Sequence, residues 1–242
     1  MLVGPSIGED AAIIDLGDKA LVVHVDPITG AVEHLGRLAV YVATNDVAVR
    51  GARPRWLLPV LYLPEGSGEA MLDRVTAQID EAAREVGAMV VGGHTESTPG
   101  IRRPLISMTA IGVSDPGRYL TTGGARPGDV VIMTKTAGVE GTAILATDFG
   151  RHLVDRGVPE EVVERGARFM GRVSVVREAL ALADANLATS MHDPTEGGVL
   201  GGLAEMALAS KARIVVWEEK VPVAEETAEM AGALGIDPLK LI

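Results

Sequence analysis

The first half of the chain switches repeatedly between short apolar runs and longer stretches with apolar residues three and four apart. Residues 11–15 and 19–26 are apolar runs joined by the turn Leu16-Gly17-Asp18, a pattern that predicts two strands. The second run, Leu21-Val22-Val23-His24-Val25, delivers Asp26 at its end, and Pro27 is expected to break it. Over residues 33–49 the period changes. Leu35, Leu38, Ala39, Val42, Asp46 and Val49 share one face, which predicts a helix. Asp46 therefore lies inside an apolar stripe, where a carboxylate is paired, bound to a metal, or solvated at the rim of the core. Residues 56–63 predict a strand. Residues 68–86 predict a helix with Ser67 as N-cap, Gly87 as C-cap and Met71, Leu72, Val75, Ile79, Ala82, Ala83 and Val86 as its buried stripe. Met89-Val90-Val91 predicts a short strand and residues 106–113 a longer one.

A dense block of turn residues follows: Asp115-Pro116-Gly117, Thr121-Thr122-Gly123-Gly124 and Arg126-Pro127-Gly128-Asp129. It is the best domain boundary in the chain and divides it into residues 1–118 and 125–242. Beyond it, residues 130–134 and 213–217 predict strands, and residues 141–147, 159–170, 172–185 and 197–209 predict helices. Strands mixed with helices in both halves give an α/β or α+β protein of two domains.

Composition narrows this picture. Hydrophobic residues make up 47% of the 242 but aromatics only 3%, so the core is built from many small aliphatic side chains. The 29 glycines follow no repeat period, which assigns them to turns and close backbone approaches. A net charge of −11 argues against a broad nucleic-acid footprint. It does not argue against a small nucleotide whose charge is carried by metal ions. The absence of Cys excludes disulfides, thiolate zinc sites and cysteine nucleophiles within this sequence. Met1-Leu2-Val3-Gly4-Pro5 does not read as a signal peptide, and no apolar run approaches about 18 residues. The expectation is a cytoplasmic protein with no membrane partner. Apolar segments near both ends, closing on Leu239-Lys240-Leu241-Ile242, give the further expectation that the natural protein extends beyond one or both.

Four clusters carry candidate chemistry. Gly8-Glu9-Asp10-Ala11-Ala12 sits ahead of the first strand; there Asp10 is a candidate magnesium ligand, or the cluster is an acidic turn. Asn45-Asp46 lies in the apolar helix. Gly92-Gly93-His94-Thr95-Glu96 follows a short strand, and its glycine amides can form an anion nest with Thr95 as a phosphate donor, Glu96 as a cation ligand and His94 as acid or base. The alternative is a glycine loop with a structural histidine. Asp193-Pro194-Thr195-Glu196-Gly197-Gly198 reads as a capped helix start and equally as a helix N-terminus presenting amides to an anion, with His192 beside it. Small residues let a backbone approach a bulky anion, and carboxylates hold the hard cation that accompanies it. Together the four suggest a nucleotide and magnesium site. The phosphate loop Gly-x-x-x-x-Gly-Lys-Ser/Thr, the Gly-x-Gly-x-x-Gly fingerprint, the Gly-x-Ser-x-Gly elbow and the His-Glu-x-x-His zinc helix are all absent.

The segments Gly-Glu-Asp-Ala-Ala-Ile-Ile, Val-Asp-Pro-Ile, Asn-Asp-Val-Ala-Val-Arg-Gly-Ala-Arg-Pro, Gly-Gly-His-Thr-Glu and Arg-Pro-Gly-Asp-Val-Val-Ile-Met-Thr-Lys-Thr occur here in an order that resembles the aminoimidazole ribonucleotide (AIR) synthase-related, or PurM-like, superfamily. That superfamily includes AIR synthase, selenophosphate synthetase, thiamine-monophosphate kinase and the hydrogenase maturation factor HypE. Met191-His192-Asp193-Pro194-Thr195-Glu196-Gly197-Gly198 is most similar to the Asp-Pro-Thr-Arg-Gly-Gly segment of HypE-like members. The resemblance implies a two-domain PurM-like fold, with an N-terminal domain whose strands pair across a homodimer into a barrel and a C-terminal α+β domain. It implies ATP and Mg2+ in a cleft shared by the domains, and possible partners among the hydrogenase maturation proteins.

By motif position, Asp10, Asp26 and Asp46 would be metal and phosphate carboxylates, supported by Asn45. Gly92, Gly93, Thr95 and Glu96 would flank the nucleotide, and His94 and Asp193 would be catalytic. The implied chemistry is ATP-driven activation of a carboxamide-type oxygen. The alternatives are a small-molecule kinase of the thiamine-monophosphate kinase type and a non-catalytic nucleotide-binding dimer. Three departures stand out. His94 replaces the Asp often found in HypE-like and kinase members, Thr195-Glu196 replaces Thr-Arg, and the cysteine that HypE converts to a thiocyanate has no counterpart here.

Overall fold

The computed structural model describes residues 1–6 and 8–242, which form two units. The first comprises Met1–Leu120 with Ser174–Ala188, and the second Thr121–Val173 with Thr189–Ile242.

The first unit is built on six strands: β1 (Ala12–Asp15), β2 (Ala20–Ile28), β3 (Arg53–Pro64), β4 (Met89–Val90), β5 (His94–Thr98) and β6 (Leu105–Ser114). The sheet order is β1-β2-β6-β3-β4, with β5 also alongside β3. The β1–β2, β2–β6 and β3–β6 pairs are antiparallel, whereas β4 and β5 run parallel to β3. Two helices, α1 (Leu35–Val49) and α2 (Glu69–Val86), pack on each other, and α1 lies on β2, β6 and β3. Of the predicted stripe of α2, Val75, Ile79, Ala82 and Ala83 are buried whereas Met71, Leu72 and Val86 are half-buried, and the predicted Gly87 C-cap is present in the left-handed conformation. Its start moves by one residue, because Gly68 rather than Ser67 occupies the N-cap.

Two expectations change. Strand β2 continues through Pro27, which pairs opposite Ser107. The β1 ladder stops at Val23, so at Pro27 the strand has one ladder neighbour and the missing N–H is tolerated. His94, Thr95 and Glu96, read as part of a glycine loop, belong instead to β5, which forms because the parallel edge of β3 is open to receive it.

The period of two separates the faces of the sheet cleanly. Ala20 and Val22 of β2, Leu57 and Leu61 of β3, and Ile106, Met108 and Ala110 of β6 are buried. A register shift between Pro54 and Trp56 keeps both Pro54 and Leu57 on the buried side. The opposite face remains open, with Leu21, Val23, Leu58, Val60, Ile111 and Val113 half-buried and Val25 and Trp56 exposed. Helix α1 comes down directly on β6 at Gly112, where an added Cβ would stand 2.3 Å from Val47 Cγ1. Gly112→Ala should push α1 off the sheet and cost about 1–3 kcal/mol, read as a lower urea midpoint at unchanged slope.

The second unit holds α3 (Val139–Asp148), α4 (Gly150–Asp155), α5 (Glu160–Ala167), α7 (Gly198–Ala209) and α8 (Glu225–Leu234), whereas α6 (Val176–Asp184) belongs to the first. Ala146, Leu153, Val158, Val162, Val163 and Met230 form a core among α3, α4, α5 and α8, and the buried Thr142 and Thr227 hydroxyls share a hydrogen bond of 2.7 Å. The strands expected at 130–134 and 213–217 are not formed among the described residues. Val130 and Ile132 are 83% and 76% exposed. β-Branched runs favour extended backbone, but a strand needs a second backbone to take its hydrogen bonds, and neither run has one among the described residues. No described helix is long and apolar enough to cross a membrane.

Candidate metal and nucleotide site

Strand alternation places His24 and Asp26 on the face of β2 that carries Ala20 and Val22, towards α1. Asp46, from the apolar stripe of α1, meets them there. His24 Nε2 lies 3.2 Å from Asp46 Oδ2, and one ligand atom from each of His24, Asp26 and Asp46 falls within 4.8 Å of the others. The Asp46 side chain is only 10% exposed. Burial pushes the His24 imidazole below its ordinary pKa, against the opposing pull of the Asp26 carboxylate and of the Asp10 backbone and charge. Burial thus disfavours the charged ring. The ring donates to the Asp10 backbone, and because Nε2 has no hydrogen-bond partner among the described residues, that bond falls to Nδ1.

Asp10 is held from the other side. Arg50, four residues beyond Asp46, has a fully buried side chain that donates from Nη1 to Glu9 Oε2 at 2.8 Å and from Nη2 to Asp10 Oδ2 at 2.5 Å. The structure thus places the Asp10 carboxylate on a guanidinium and its backbone on His24. Asn45, beside Asp46, accepts a hydrogen bond from the Val175 N–H at 2.8 Å, which ties α1 to the segment ahead of α6.

The glycine-cluster residues lie elsewhere in the first unit. Gly92 and Gly93 lead into β5, which carries His94, Thr95 and Glu96 on the exposed edge of β3. His94 Nε2 is 3.5 Å from Glu96 Oε2, which is an exposed pair. Strands β6 and β3 stand between β5 and β2, about 14 Å at the usual strand spacing, so one protomer does not bring these residues to His24 and Asp46.

Asp193 belongs to the second unit, where the neighbouring His192 Nε2 meets Glu205 Oε2 at 2.7 Å. The capping reading of Asp193-Pro194-Thr195-Glu196 is corrected: α7 starts only at Gly198, with Gly197 at its N-cap. Gly197 and Gly198 both have positive φ, and a Cβ at Gly198 would lie 2.5 Å from the Leu239 carbonyl oxygen. That left-handed pair delays the helix, and the Leu239 carbonyl takes the Leu200 N–H.

His24 is the residue that sequence reasoning missed. Its signal was a histidine two positions before Asp26 in an otherwise apolar strand, hence on the same face. Two carboxylates and an imidazole nitrogen converge here, Asp46 buried and His24 and Asp26 half-buried, and they fit a divalent cation by donor type and spacing.

Comparison with known proteins agrees with this architecture. Residues 8–114 match the N-terminal domain of AIR synthase related proteins and residues 126–241 match the C-terminal domain. The chain belongs to the AIR synthase-related family. It is 31% identical to the carbamoyl dehydratase HypE of Rhodobacter capsulatus over 222 residues, which cover 90% of this chain and 62% of that protein. It is also 31% identical to the selenide, water dikinase of Myxococcus xanthus, covering 95% of this chain and 64% of the relative. A crystal structure of the hydrogenase maturation protein HypE in complex with ATP superimposes with a TM-score of 0.76 at 31% identity, over 96% of this chain and 68% of that one. The chain thus spans somewhat under two thirds of the length of both curated relatives.

Proposed function

We propose that this chain is the ATP-binding part of a HypE-like enzyme that uses Mg-ATP to activate a carboxamide oxygen. The observation that carries the reading is the convergence of Asp26 and Asp46 from β2 and α1, in a chain that matches an ATP-bound HypE over 96% of its length. In this reading Asp26 and Asp46 hold the cation, whose contribution when bound is to neutralise phosphate charge. Arg50 fixes Asp10 beside them, and Asn45 fixes the α1 backbone that presents Asp46. Catalysis then comes from positioning and charge neutralisation rather than from covalent attachment to the protein. Asp193 is the candidate group for handling substrate protons, whereas His94, on the exposed β5 edge, is not brought to this site within one protomer.

The reaction balances simply. The carboxamide oxygen attacks the γ-phosphorus and the bond to ADP breaks. Inorganic phosphate then leaves with that oxygen, and the two amide protons pass to phosphate and solvent, leaving a nitrile. None of these 242 residues is a cysteine, so the thiol that carries the carbamoyl group in HypE is not among them. The open apolar face with Val25 and Trp56 supports a homodimer in which two sheets cover each other. Docking to other hydrogenase maturation proteins belongs to the same reading.

A second reading is favoured by one observation, the equal identity to a selenide, water dikinase: phosphoryl transfer to an acceptor that keeps the phosphate. Phosphorus NMR of the protein with ATP, Mg2+ and a carbamoyl thioester separates the two. The HypE-like reaction gives ADP, free phosphate and a thiocyanate only when the carboxamide is present. A stable phosphorylated product would favour the kinase, and ATP binding with no turnover under any substrate would favour a non-catalytic dimer.

A further inference from the structure

His24 introduces a feature that carboxylate chemistry alone does not explain. Its Nε2 is buried, has no hydrogen-bond partner among the described residues, and points at Asp46 Oδ2 from 3.2 Å. With Nδ1 donating to the Asp10 backbone, Nε2 is the ring atom left facing the carboxylates. A nitrogen and a carboxylate oxygen at that distance call for a proton or a cation between them, and the convergence of a third group, Asp26, on the same point favours a cation. The arrangement matches that of a metal-binding histidine, in which one ring nitrogen is fixed by a backbone or carboxylate oxygen and the other is left for the ion. Here the fixing group is Asp10, itself locked by the buried Arg50. The three ligand atoms lie within 4.8 Å of one another, compatible with one ion bonded at about 2.0–2.4 Å to each.

We infer that His24, Asp26 and Asp46 form a mixed nitrogen–oxygen site that binds a borderline divalent cation, of the Mn2+ class, in preference to Mg2+ and without nucleotide. A pure oxygen set suits Mg2+, whereas an imidazole nitrogen raises affinity for first-row transition ions and does little for Mg2+. The inference rests on the reading of Asp26 and Asp46 as cation carboxylates. It goes beyond that reading by assigning a third ligand and a metal class.

The test uses the nucleotide-free protein and Mn2+ alone. Electron spin-echo envelope modulation of bound Mn2+ should show coupling to an imidazole ¹⁴N, absent in His24→Gln. Titration should give Mn2+ binding about tenfold or more tighter than Mg2+ binding, with the difference collapsing in the same variant. Circular dichroism and the melting curve of His24→Gln report whether it folds; should it not, His24→Asn provides the second variant. Nitrogen coupling that survives loss of His24, bound Mn2+ without nitrogen coupling, or no Mn2+ binding without nucleotide would each overturn the inference. Failure here is separable from failure of the ATP reading. If Mn2+ shows no nitrogen coupling while Mg-ATP still binds and Asp46→Asn abolishes it, only His24 is removed. If the nitrogen coupling is present and ATP never binds, the metal site stands and the nucleotide reading falls.

Discussion

Replacing Arg50 with Ala is expected to destabilise the first unit by about 3–5 kcal/mol, the usual cost of removing one member of a buried ion-pair group. The Arg50 side chain is fully buried, and the Glu9 and Asp10 side chains it pairs with are 9% and 8% exposed. Its loss leaves two carboxylates in the interior facing a void instead of a guanidinium. Arg50 also closes the C-terminal end of α1, where its carbonyl accepts the Leu120 N–H. Urea unfolding followed by circular dichroism measures the effect. Arg50→Lys should recover only part of it, since one ammonium cannot reproduce two separate guanidinium contacts. A loss below about 1 kcal/mol for Arg50→Ala would mean that the cluster is solvated rather than buried.

The second large effect is functional. Asp46→Asn keeps the shape of the side chain and should leave stability within about 1 kcal/mol of the parent. It removes the charge that faces His24 from α1, and Mg-ATP affinity should fall by about 100-fold or more, since even groups that only support a metal ligand are commonly worth 10–100-fold. Calorimetric titration of both proteins with Mg-ATP checks this. Unchanged affinity in the variant would remove Asp46 from the site.

Much of the first unit was legible because its signals are local. The stripe of α2 and the Gly87 cap depend on residues within one helix, and the alternation of β6 reports its own burial. Asp46 was legible as an anomaly, a carboxylate at a core position of a helix. What pairs with it was not, because that depends on α1 lying across β2 and β6, a placement permitted by Gly112 and invisible to any periodicity. For the same reason His24 looked like one polar residue in an apolar strand. The glycines at 92 and 93 hid β5, since its formation depends on a free parallel edge of β3 rather than on its own residues His94–Thr98. The runs at 130–134 and 213–217 failed in the opposite sense, with strong local propensity and no ladder partner among the described residues. The start of α7 was misplaced because a good capping sequence was overridden by two left-handed glycines, the second of them pressed against the Leu239–Leu241 backbone.

In the proposed function, nucleotide binds through a cation held by the carboxylates of β2 and α1. Thermal unfolding in four conditions tests it most directly: protein alone, with Mg2+, with ATP and EDTA, and with ATP and Mg2+ together. At about 100 times the dissociation constant a ligand should stabilise by roughly 2.7 kcal/mol, a shift of several degrees in a domain of this size. The full shift should require ATP and the divalent cation together, and Asp46→Asn should lose it. An equal shift with ATP and EDTA, or no shift in any condition, would contradict it.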